Sequence, residues 1–141
     1  MKERRRCLSS KLVTGEKWLA MSLETRFISN LILLMVDDMG CFHADPRLVK
    51  AYCTPIEVRI TEEVVKTCID EAVEKGIFKR YSSRENMQYL FWTEFYEMNT
   101  FRKDIKHRDY CFPIPPEEFM DCSEAKAEYE KRKKKENRKN E

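Results

Sequence analysis

Two histidines, six cysteines and three closely spaced aspartates are the residues of this chain whose types could carry metal or covalent chemistry. Cys41 and His43 form a Cys-x-His pair, yet no two further ligands stand at the spacing of a zinc site. Asp37, Asp38 and Asp45 lack the alternating ligand positions and the closing Glu of a calcium loop, and turn formation and helix capping account for all three. The cysteines at 7, 41, 53, 68, 111 and 122 contain no Cys-x-x-Cys pair and read as reduced thiols. No nucleophile adjoins a recognisable base, and no Gly-x-x-x-x-Gly-Lys loop offers a seat for a nucleotide. The chain therefore reads as a non-enzyme that needs no metal, no cofactor and no small-molecule substrate.

What remains is the chemistry of charge. The net charge of +2 over 141 residues is unevenly spread. Residues 1–12 hold five Lys/Arg against one Glu, and residues 123–141 hold eight against five, whereas the stretch between is acidic. Basic ends on a mildly acidic body are the pattern of arms that touch a polyanion. Arg4, Arg5 and Arg6 form the densest cluster, and Arg47, Lys50, Lys79, Arg80 and Arg84 are further candidates for phosphate contact. Arg102, Lys103, Lys106, His107 and Arg108, diluted by Asp104 and Asp109, extend the same track.

The elements that must position these residues are legible from spacing. Leu23, Phe27, Leu31, Leu34 and Met35 recur at three- and four-residue intervals, which predicts a core helix over 22–36 with that face buried. Gly40 stops it by taking a positive φ. Asp45-Pro46 then caps a second helix over 46–52. Ile56, Val58 and Ile60 alternate with Glu57 and Arg59, predicting a short strand. Thr61 caps a third helix whose buried face is Val64, Val65, Cys68, Ile69, Ala72 and Val73, and Gly76 ends it. Residues 4–13 alternate weakly and are assigned a short strand.

Residues 77–81 and 87–92 are rich in aromatic and branched side chains and flank a polar stretch, which predicts a hairpin. Tyr89, Phe91, Trp92, Phe95, Tyr96 and Phe101 are dense enough to be core rather than a stacking surface. Three helices followed by a hairpin make the expected fold α+β, a winged helix-turn-helix with a three-helix core, a β-hairpin wing and a charged C-terminal extension. The expected division is a basic arm or strand at 1–12, the winged-helix domain at 13–116, and a charged helical or disordered tail at 117–141 that follows the extended FPIPP exit.

RRRCLSSKLV, KWLAMSLETRFISNLILLMVDDMGCFHADPRLVK, ITEEVVKTCIDEAVEKGIFKRY and MQYLFWTEF together resemble the N-terminal winged-helix domain of phage replication-initiation proteins, the replisome organisers. The resemblance spans about residues 4–116. It implies duplex DNA as the partner, origin binding in replication initiation as the role, and the cytoplasm of a bacterial host as the place. Neither a run of about 18 apolar residues nor an apolar stretch after MKERRRCLSS argues for a membrane or a secretory route.

The third helix conflicts with the usual groove-reading role of such an element. Its outward positions read Glu63, Lys66, Thr67, Asp70, Glu71 and Glu74, so Lys66 and Thr67 are its only candidate contacts among four acids. Either the arm, second helix and wing supply the cations, or the fold serves a protein: an adaptor, a dimerisation module with replication proteins or itself as partner, or a transcriptional regulator.

Overall fold

The computed structural model describes residues 6–99 and 108–140. Within them the chain is α+β, with helices α1 (Ser10–Thr14), α2 (Glu16–Leu19), α3 (Leu23–Met35), α4 (Pro46–Cys53), α5 (Glu62–Glu74), α6 (Phe95–Met98) and α7 (Ser123–Lys139). Strands β1 (Cys41–His43), β2 (Phe78–Ser82) and β3 (Gln88–Trp92) form one antiparallel sheet in the order β1-β3-β2. A 3-10 turn, Glu117–Phe119, precedes α7.

Local capping chemistry sets the helix starts. Ser22, Asp45 and Thr61 each accept a backbone N–H of the first turn through the side chain, at α3, α4 and α5 respectively. The α3 start has a second acceptor, since the Glu71 carboxylate takes the Ser22 N–H at 2.6 Å and the Thr25 hydroxyl at 2.8 Å. Glu71 thus points at α3, not outward, and its carboxyl is held below the ordinary 4.5, first by the Ser22 N–H. Gly40 and Gly76 both have positive φ, at 80° and 82°. At Gly40 a Cβ would also lie 2.7 Å from the Phe95 ring, so only glycine fits there.

The core helix buries a different face from the expected one. Ile28, Ile32 and Leu33 are buried with the small Thr25 and Ser29, facing α5, whereas Leu23, Phe27 and Leu34 are 76%, 51% and 41% exposed. Apolar residues occupy most of the circumference of α3, so helical spacing alone selects two stripes equally well. Thr25 and Ser29 decide between them, because small side chains let the α5 backbone approach; α5 answers with Val65, Cys68, Ile69 and Ala72.

Residues 54–60 do not form the expected strand. They turn, with the Glu57 and Ile60 N–H groups donating to the Thr54 and Glu57 carbonyls, and Ile56 and Val58 stand 93% and 88% exposed. The third strand is instead Cys41–His43, in register with β3 through Cys41 opposite Phe91 and His43 opposite Tyr89. Three residues between a glycine turn and a helix cap are too few for an alternation signal. The N-terminal strand is also absent from residues 6–13, where Ser10–Thr14 is helical under a Ser9 cap. Arg4 and Arg5 lie outside the described residues.

The hairpin forms at the expected place, with Phe78 opposite Trp92 and Ser82 opposite Gln88. Phe91, Trp92, Phe95 and Tyr96 are buried and Tyr89 partly so, while Phe101 lies outside the described residues. The six cysteines are free thiols, with Cys41 and Cys68 in the core. No described helix is long and apolar enough to cross a membrane.

The chain after the hairpin packs back onto it. Phe112, Met120, Ala125 and Tyr129 join the same buried cluster as α3 and the sheet. A highly charged 17-residue helix such as α7 is marginal alone in water. Ala125, Tyr129 and Arg132 give it a buried stripe at four- and three-residue spacing.

Candidate nucleic-acid interface

The anchorage of α7 begins with Asp37, whose side chain is fully buried. One carboxylate oxygen accepts the N–H groups of Met39 at 2.9 Å and Cys41 at 3.0 Å; the other accepts those of Cys111 at 3.0 Å and Phe112 at 3.2 Å. Four converging donors suit the ionised, acceptor-only form. Burial pushes the carboxyl above the ordinary 3.8, opposed by these N–H groups and by the Arg132 guanidinium. Arg132 in turn donates to the Phe112 carbonyl and lies 4.6 Å from the centre of the Tyr110 ring. Asp38 continues the seam, its backbone N–H donating to the Asp109 carbonyl at 3.0 Å and its carboxylate accepting the Asp109 N–H at 2.6 Å. The acidic turn is therefore more than a turn: it clamps residues 109–112 and, through them, α7.

Arg6 belongs to this clamp and not to an outward-facing arm. Its guanidinium is 5% exposed, donates to the Val36 carbonyl at 2.7 Å and to Asp38 at 3.0 Å, and sits over the Phe95 ring. Burial among these partners takes it out of the candidate phosphate contacts.

The remaining sequence candidates divide into two groups. Arg47 and Arg80 are each engaged by a carboxylate, of Asp45 and Asp70, and Lys50 donates to the Glu57 carbonyl. The Thr67 hydroxyl is turned to the Glu63 carbonyl, and Lys79 stands 5.3 Å from the centre of the Phe119 ring. Lys66 and Arg84 are exposed. Lys66 and Arg80 meet Asp45, Asp70 and residues 86–88 in one shallow groove, where the charges of both signs balance. With Glu62, Glu63 and Glu74 exposed on α5, that side of the molecule is not a phosphate track.

The opposite side is. Arg84, at the hairpin tip, shares a groove with Lys133, Asn137 and Asn140 of α7. A second groove beside it is lined by Arg108, Lys135 and Lys139. Lys131, Lys133, Lys134, Lys135, Arg138 and Lys139 are all exposed along this half of α7, and its one acid there, Glu136, is paired to Arg132 at 3.4 Å. The charge excess of residues 123–141 signalled these residues; their place beside the hairpin was not legible, because it depends on Arg132 being the one cation of the run turned inward. Serine, asparagine and lysine donors without a facing carboxylate cluster suit a chain of phosphates.

The Cys-x-His pair is also explained. Cys41 is buried, and the His43 ring lies in a stack between Tyr52 at 5.6 Å and Tyr89 at 6.2 Å, with Phe112 edge-on at 4.8 Å. Its Nδ1 is buried without a hydrogen-bond partner. Burial pushes its pKa below the ordinary 6.5, with Asp45 pulling weakly the other way. The unfolded chain then binds the proton more readily than the folded one, so stability falls as pH drops below 6.5. Thermal melts between about pH 7.5 and 5.5 are expected to show this loss, and His43→Gln is expected to reduce it. An unaltered pH dependence in the variant would place the titrating group elsewhere.

Comparison with known protein families, with characterised proteins and with solved structures gives no match. The reading of this chain rests on its own geometry.

Proposed function

We propose that this chain is a winged-helix module that binds duplex DNA through its hairpin and α7. The order helix, strand, two helices and hairpin, with β1 added to the β3 edge, fits a winged helix-turn-helix in which β2 and β3 are the wing. The observation that carries the binding reading is the row of exposed cations on α7 beside Arg84, held in place by a buried clamp. Fixed cations along a groove neutralise phosphates at little ordering cost. The module is read as non-enzymatic, and its process, initiation of phage or prophage replication in the bacterial cytoplasm, rests on the motif resemblance alone.

Amide shift mapping on addition of a duplex tests this reading. Perturbation is expected at residues 82–86 and along α7, with α5 little affected. Shifts concentrated on α5 would overturn the proposed face, and no shifts would overturn DNA binding. The second reading, a protein adaptor, is favoured by the exposed Glu62, Glu63 and Glu74 of α5, which offer an acidic helix to a basic partner.

A further inference from the structure

The exposed stripe of α3 has the geometry of a helix-pairing seam. Leu23, Phe27, Asn30 and Leu34 follow one another at intervals of four, three and four, which is the d-a-d-a spacing of a heptad repeat. Leu31 flanks the seam, and Leu19, 54% exposed at the end of α2, adds to its N-terminal end. Nothing charged stands at positions 23, 27, 30, 31 or 34. The opposite face of the same helix is already spent on the core through Ile28, Ile32 and Leu33.

We propose that this stripe is a dimer interface, and that its occupant is α3 of a second copy lying antiparallel across a two-fold axis. Centring the axis between residues 28 and 29 sets Leu23 against the partner's Leu34 and Phe27 against the partner's Asn30, and then repeats both layers by symmetry. This is the a-to-d layering of an antiparallel helix pair, and it closes with no unmatched end. It also sets each helix N-terminus beside the other's C-terminus, where the helix dipoles attract. An uncharged seam lets two copies of one chain meet without repulsion, and a single polar residue within it selects a pairing register. A stripe about 20 Å long and 10 Å wide presents on the order of 400 Å² of accessible surface per copy, the size at which patches on monomers are often functional. With a polar rim, the pair reaches only the low end of specific interfaces, about 1,000–1,200 Å² in total, so the dimer is weak and reversible. The inference uses none of the basic residues of α7 or the hairpin and does not rest on the DNA reading.

Sedimentation equilibrium of the full chain from about 5 to about 500 µM is the test, with association expected at a Kd on the order of 10–100 µM. Phe27→Glu is expected to leave a monomer across that range, and because Phe27 is half exposed its unfolding curve is expected to match the parent. Asn30→Leu, which keeps a good helix former, is expected to tighten association at least about tenfold. A parent chain that stays monomeric, a dimer that survives Phe27→Glu, or an Asn30→Leu chain that associates no more tightly would each overturn the proposal.

Discussion

Replacing Asp37 with asparagine is expected to lower the unfolding free energy by about 3–5 kcal/mol, the range found when one partner of a buried charged network is removed. The substitution is nearly isosteric, so no cavity contributes. One side-chain oxygen remains to accept the N–H groups of Met39 and Cys41, but the other is replaced by an amide donor that faces the N–H groups of Cys111 and Phe112. Two buried donors then meet a third. Arg132 also loses the nearby anion that balances its buried charge. For a chain of this size the change corresponds to a drop in Tm of about 10–15 °C. Urea unfolding gives the magnitude, and amide exchange locates it: α7 and residues 109–112 are expected to lose protection first, while the pairing of β2 with β3 persists. Parent-like stability would mean that the four N–H contacts do not hold α7 in place.

The second large effect is on binding. Changing Lys131, Lys133, Lys134 and Lys135 together to glutamine is expected to reduce duplex affinity about 100-fold at about 100 mM salt and to flatten the salt dependence by about four units of slope. Glutamine has nearly the helix propensity of lysine, and all four side chains are exposed, so the fold is expected to be untouched. Arg132 is left in place because it is structural. The same exchange made at Lys50 and Lys66 is expected to have a much smaller effect, since Lys50 is engaged by a carbonyl and Lys66 stands among acids. Equal losses from the two sets would return the interface to α5 and its surroundings.

Features written in local chemistry were legible in the sequence. The caps at Ser22, Asp45 and Thr61, the stops at Gly40 and Gly76 and the hairpin each depend on a few neighbouring residues. Long-range choices were not. Helical spacing along α3 offered two stripes, and the one carrying Thr25 and Ser29 won because of what α5 brings to it. Ile56 and Val58 alternate as a strand does, but no neighbouring strand receives them, while Cys41–His43 pairs with β3 on three residues. In the site, Asp37 reads as a turn residue, and half of its hydrogen bonds go to amides 74 and 75 residues away. Arg132 stands in a run of cations from which only its burial separates it, and Arg6, which looks like part of an arm, closes the clamp on the other side.

The most direct measurement of the central claim is fluorescence anisotropy of the full chain with a labelled duplex, repeated from about 50 to about 200 mM salt. About five phosphate contacts from α7, Arg84 and their neighbours predict saturable binding whose log affinity falls against log salt with a slope of about −4 to −5. Absent binding, or binding indifferent to salt, would contradict a phosphate track on α7 and bring the adaptor reading, with its acidic α5 surface, to the front.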